Sequence, residues 1–294
     1  QELTLQYPHF TSFDWLAGLQ NLRNFRLTII SHRSEKGDAD NIDGLFALNQ
    51  LQHLSVDTSL ITKIPHWDFL QNVEYAWLDL PALHTVPTQL VPLPMMRELN
   101  WESGLAIDFS FLGSCTGLRE LNIQNPFFTD LRLLDKLHGL RDLDISRTGV
   151  KTLTPLAGRR RLRQLEFSKT KVSNLEVLAE LPWLEDIRFE GVPVPSYAPL
   201  QNLHFLEWIS GNLPADKDLK YLSDKCHLNT LMLANGKIST LEPLFPLIEN
   251  KQLNHLSMLD AEVEQLPKGL KFDRYHFMEN YMEFLQKKRK SKRM

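Results

Sequence analysis

The sequence lacks most of the groups that assign a function class from composition alone. It has two cysteines in 294 residues, Cys115 and Cys226. That is too few to staple a secreted scaffold, and it points to a reducing, cytoplasmic setting. No apolar run approaches the roughly 20 residues needed to span a bilayer. No charged, apolar, small-residue signal opens the chain, and there is no Asn-x-Ser/Thr sequon. An excess of one charge is also missing: 33 basic and 36 acidic residues leave a net −3, with no whole-chain pull towards nucleic acid. The motifs G-x-S-x-G and H-E-x-x-H and a phosphate-binding glycine loop are absent. The histidines are scattered, with His53 and His255 at opposite ends. No enzymatic activity, cofactor or metal is therefore expected of this segment.

What is present is a period. Segments starting at Phe109, Leu131, Leu153, Leu175, Tyr197 and Leu219 follow one another every 22 residues. In the Leu131 segment the apolar positions are Leu131, Leu134, Leu137, Leu140, Leu143, Ile145 and Val150. The Phe109 segment repeats them as Phe109, Leu112, Cys115, Leu118, Leu121, Ile123 and Phe128. Earlier segments start at Phe13, Ile42, Ile64 and Val86, and the last at Leu241. Residues 1–12 fit the second half of a repeat, with Leu3, Leu5 and Phe10 in the apolar slots, which makes eleven repeats and a partial one. Further sequence is accordingly expected before Gln1.

The spacing carries physical meaning. Apolar residues three apart suit a short helix or 3₁₀ turn facing inwards. The step then falls to two at Leu143 and Ile145, which is strand alternation. One strand and one turn cannot bury a core alone, but stacked copies can, with the strands in a parallel sheet. Pro155, Pro199 and Pro243 fall at the start of the helical half, where a missing N–H costs nothing.

The runs "LRLLDKLHGLRDLDISRTGV", "LTPLAGRRRLRQLEFSKTKV" and "LEPLFPLIENKQLNHLSMLDAEV" resemble the leucine-rich repeat family in its 22-residue, internalin-like variety. The resemblance implies an α/β solenoid: a horseshoe with a parallel concave sheet and short helices or 3₁₀ turns on its convex side. The expected organisation is a repeat region over 1–270, a capping helix over 271–286 and a basic tail over 287–294. The family places an Asn after the strand to bond the neighbouring turn. Here Ser59, Pro126, Thr148 and Thr170 take that slot, so hydroxyls are expected to do part of its work.

Three local features stand outside the period. The polar stretch Ser31–Asn41 lengthens the first whole repeat and reads as a surface loop, its Asp38, Asp40 and Asp43 departing from EF-hand order at Ile42. Phe277, Met278, Tyr281, Met282 and Leu285 recur at three and four, as in an amphipathic helix that covers an open core. Lys287, Lys288, Arg289, Lys290, Lys292 and Arg293 form the tail. Without them the chain holds 27 basic and 36 acidic residues. The tail reads as a solvated end, with nucleic acid or an anionic membrane as the less favoured uses. A second basic group, Arg159, Arg160, Arg161 and Arg163, falls on the convex side, and Arg159 takes a slot that is usually apolar.

Function is expected on the concave face, where strand residues alternate with the buried pair. In the Leu131 repeat these are Asp142, Asp144 and Ser146. Carried along eleven repeats, the register yields 33 outward positions, ten acidic and two basic. This acidic enrichment, bracketed by aromatics, marks Tyr75, Trp77, Asp79, Glu98, Glu102, Glu120, Asp142, Asp144, Glu166, Asp186, Glu190 and Trp208 as partner-binding candidates. The carboxylate pairs arise from neighbouring strand positions, and an open sheet does not exclude water as catalysis needs. The reading is a monomeric, bacterial-type, cytoplasmic protein–protein interaction module for a basic partner. Alternatives are the recognition domain of a larger enzyme or effector, and an immunity-type neutralising protein.

Overall fold

The computed structural model describes residues 1–6, 12–29, 43–270, 273 and 276–291, the side chains of the last helix only as far as Lys287. The loop 31–41 and the last three residues of the basic tail, 292–294, lie outside the described residues. Two compact units divide the chain, Gln1–Val150 and Lys151–Met294.

The first unit carries seven strands, β1 (Glu2–Gln6), β2 (Asn24–Ile29), β3 (His53–Thr58), β4 (Tyr75–Asp79), β5 (Glu98–Glu102), β6 (Glu120–Gln124) and β7 (Asp142–Asp144). They pair in parallel and in sequence order. The second unit continues the same plan with β8 (Gln164–Glu166), β9 (Asp186–Phe189), β10 (Trp208–Asn212), β11 (Thr230–Thr240) and β12 (His255–Gln265). This is the parallel repeat architecture the period implies.

Each apolar slot is filled as the spacing requires. All seven apolar side chains of the Leu131 repeat are at most 2% exposed. Full burial of such a side chain contributes about 1.5–3 kcal/mol, so the repeated slots dominate stability. The helical halves are 3₁₀ turns, such as Ser110–Ser114 and Leu131–Leu134, because a step of three matches three residues per turn. Pro155, Pro199 and Pro243 sit at the first positions of their turns.

Several expectations need correcting. The repeat starting at Val86 has no helical turn between β4 and β5. Strands β11 and β12 run 11 residues each instead of a short segment, turning at left-handed Asn235 and Asp260. Arg147, Lys169 and Gly191 adopt the same left-handed backbone one repeat apart. The C-terminal helix, Phe277–Ser291, starts and ends later than expected, so Lys287 belongs to it and not to a tail. Phe277 and Tyr281 are its buried residues, and Tyr281 stacks on Phe245 at 4.2 Å while donating to Glu249 Oε1.

The ladder slot was also misplaced in one repeat. Asn125, not Pro126, makes the bond to the neighbouring turn that the resemblance implies. It is fully buried, its Nδ2 donates to the backbone oxygens of Ser103 and Leu105, and its Oδ1 accepts from the Phe127 N–H. Thr148 and Thr170 donate to the carbonyls of Ile145 and Phe167 within their own repeats. These hydroxyls brace a turn without bonding its neighbour. Lys225 is a further surprise. It fills an apolar slot with no exposure, its Nζ held by Gln201 O at 2.6 Å and Asp224 Oδ1 at 2.7 Å.

Asn125 links two repeats and cannot be replaced by water. Asn125→Ala should therefore cost about 2–3 kcal/mol, since it strands buried carbonyls, against about 1 kcal/mol for Thr148→Val. Urea unfolding of both variants checks the order.

Candidate functional site

The parallel register puts every third-dimension neighbour of an outward residue at the same place in its own repeat. In the first unit one row runs Glu2, Asn24, His53, Tyr75, Glu98, Glu120, Asp142. A second runs Arg26, Ser55, Trp77, Asn100, Asn122, Asp144, and a third Thr28, Asp57, Asp79, Glu102, Gln124. The expected outward register is therefore the observed one. At the end of the third row it fails, because Ser146 turns inwards and is 6% exposed.

Over β1–β5 these rows frame a recess of about 640 Å³, walled by His53, Tyr75, Trp77, Arg26, Glu98 and Asn100 among others. Tyr75 and Trp77 are 41% and 44% exposed, an unusual use of large rings on a solvated sheet. His53 stacks on Tyr75 with centroids 4.8 Å apart. Beside the rings the acids stand in columns. Asp57, Asp79 and Glu102 occupy successive strands, as do Glu98 and Glu120. Adjacent strands lie only about 4.8 Å apart, so like charges meet.

Among the described residues no cation forms an ion pair with any of these five carboxylates. Burial, then the charges of Glu102 and Asp57, push the Asp79 carboxyl up to about 6. Burial, then Glu98 and Asp142, raise that of Glu120. Glu98 accepts one hydrogen bond, from Asn100 Nδ2 at 2.9 Å, and Asp144 accepts from the Ser146 N–H at 2.8 Å.

The second unit treats its acids differently. Arg188 donates to both oxygens of Asp186, at 3.1 and 2.7 Å, and lies 3.9 Å from Glu166. Its guanidinium also covers the Trp208 ring at 5.1 Å. Glu190 accepts from the buried Ser210 hydroxyl at 2.7 Å. Glu166, Asp186, Glu190 and Trp208, all candidates on sequence grounds, are thus engaged within their own unit. Ser168, Ser210 and Thr230, which the register turned outwards, are buried. The rows Gln164–Asp186–Trp208–Thr230–His255 and Glu166–Arg188–Ser210–Met232–Ser257 nevertheless keep the expected pairing.

Sequence reasoning missed a second aromatic feature. Trp183, Phe205 and His227, each 22 residues apart, stack at 4.8 and 5.8 Å, and Arg163 covers the first ring at 5.2 Å. The one-per-repeat spacing was the available signal. Both cysteines are free; burial pushes the Cys115 thiol up to about 12, so it is unreactive. No group of three potential metal ligands and no helix long and apolar enough to cross a membrane occurs among the described residues.

The sequence matches no protein-family model and no curated protein. Solved structures do resemble the fold. An internalin from Listeria monocytogenes superposes with TM-score 0.65 at 20% identity, over 90% of this chain and 82% of that one. Internalin C2 of the same species superposes at 0.51 and 20%, over 77% and 87%. A further Listeria monocytogenes internalin domain, described as including a cysteine ladder, matches at 0.54 and 17%, over 94% of this chain and 56% of that one. The fold is thus the leucine-rich repeat fold in its internalin-like form.

The raised carboxyl of Asp79 has a definite sign. The stabilisation it supplies is complete below its ordinary value of 3.8 and is lost as pH rises through about 6. Asp79→Asn should therefore melt about 1–3 °C above the parent at pH 7.5, and the difference should vanish by pH 4. Differential scanning calorimetry across this range tests it.

Proposed function

We propose that the chain is a non-catalytic protein-interaction module whose sheet face in the first unit docks a basic segment of another protein. One observation carries this reading: among the described residues five carboxylates form no ion pair and share the register rows of two exposed aromatic rings, which line one open recess with Glu98. Packing like charges at strand spacing costs free energy in the unbound chain. A cationic partner recovers that cost on binding, and the rings supply the apolar contact that charge alone lacks. The acids of Arg188's neighbourhood have no such deficit, so the reading narrows from the whole face to Tyr75, Trp77, Asp79, Glu98, Glu102 and Glu120, with Asp142 and Asp144 at the margin. Likeness to leucine-rich repeat proteins supports a binding role in general. Two free cysteines support a reducing compartment as part of the same reading.

Capture from native lysate at low and high salt, with paired charge reversals, tests the proposal. A Glu98→Lys, Glu120→Lys variant should lose the partner. A Glu166→Lys variant in the second unit should keep it. Affinity of the recovered complex should fall about tenfold or more between low and physiological salt. A tight complex insensitive to salt and to the first variant would sink the reading.

A further inference from the structure

The second unit contains a complete cation site built from its own residues. Arg188 rests on the face of Trp208 and forks onto Asp186, with Glu166 beyond. An indole and two carboxylates around one guanidinium suit its planar, delocalised charge.

The first unit repeats the ring and the acids, and among the described residues no cation forms an ion pair with those acids. Trp77 on β4 is 44% exposed. Its partners across the sheet are the short Ser55 on β3 and Asn100 on β5, so neither side of the indole is walled by a long side chain. Asp79 follows two residues along the same strand, with Asp57 and Glu102 as its register partners. Glu98 pairs with Tyr75. Four carboxylates therefore stand one register step from one exposed indole: Glu98 lines the recess with Trp77, while Asp79 and Glu102 line a second depression together with Arg147, which forms no ion pair with either. Tyr75 is a poorer platform, because His53 already covers one of its faces. Arg26, the cation in the wall, lies two strands from Trp77 with Ser55 between. The cation–ring contacts found among the described residues involve Trp183, Trp208 and Tyr221, not Trp77.

Resting on the docking reading above, we propose that this recess receives an arginine side chain of the protein partner. Its guanidinium lies on the Trp77 indole and its fork engages Asp79 and Glu102, supplying in trans what Arg188 supplies within the second unit. Lysine is the poorer occupant, since an ammonium neither stacks flat nor binds two carboxylates in one plane.

The probe is a capped, fluorescein-labelled Arg-Gly repeat peptide, compared with Lys-Gly and citrulline-Gly versions on the full chain at low salt. Anisotropy should show the arginine peptide binding about threefold or more tighter than the lysine peptide, and the citrulline peptide hardly at all. Trp77→Leu should weaken it about three- to tenfold, while Trp77→Phe, which keeps a ring, stays within about threefold of the parent. Trp208→Leu should change nothing, its site being filled. The ¹⁵N indole resonance of Trp77, assigned by its absence from Trp77→Leu, should shift saturably.

Equal binding of the lysine peptide overturns the arginine assignment. If Asp79→Asn with Glu102→Gln weakens binding while Trp77→Leu does not and the indole resonance stays still, the charged face stands and the indole site is wrong. If neither substitution matters, both readings fall together. Matching thermal unfolding of Trp77→Leu and Trp77→Phe separates a lost ring from a lost fold.

Discussion

A 22-residue repeat has too little chain to enclose a core, and everything else in this protein follows from that. Leu131, Leu134, Leu137, Leu140, Leu143, Ile145 and Val150 are all buried, although one strand and one 3₁₀ turn offer them no opposite wall of their own. The wall is the next repeat. Stacking therefore has to place each repeat in the same register as its neighbour, since a slip of one residue would turn the apolar pair out of the core. Asn125 reinforces this from within, tying its own turn to the backbone of Ser103 and Leu105 one repeat earlier.

The same register creates the electrostatic problem on the outer face. Identical positions of consecutive repeats stand at strand spacing, so any preference for acids is amplified into a column of like charge. The two units resolve it in different ways. In the second, Arg188 sits among Asp186, Glu166 and Trp208 and neutralises them. In the first, Asp57, Asp79, Glu98, Glu102 and Glu120 have no such cation among the described residues, and Asp79 holds its proton up to about 6. That contrast, rather than acidity as such, distinguishes the outer faces of the two units.

Much of this was legible in the residues. The slots of the Phe109, Leu131 and Leu175 repeats are buried as read, the prolines open their turns, and the outward rows pair as the period requires. What failed has local causes. Asn125 was hidden because the following repeats carry Arg147 and Lys169 in its slot, and the hydroxyls of Thr148 and Thr170 one residue later drew the reading to the wrong position. Lys225 fills an apolar slot that the period assigns to a hydrophobic residue, because the Gln201 carbonyl and the half-exposed Asp224 receive its charge. The longer β11 and β12 follow from continued pairing beyond Asn235 and Asp260, through Ile238 and Val263, where earlier repeats leave the sheet.

Periodicity determined the fold, the parallel order of its strands and the register of most outward side chains, though not Ser146, Ser168, Ser210 and Thr230, which are buried. It could not apportion the acids. Ten acidic positions counted equally along the chain, since a sequence records residue types and not which cation reaches which carboxylate. Only the tertiary structure decided that Glu166, Asp186 and Trp208 are engaged by Arg188, while Asp79, Glu98, Glu102 and Glu120 form no ion pair among the described residues. The physical reason is distance: charge pairing depends on a few ångströms between side chains of different repeats, and that separation exists only once the repeats are stacked.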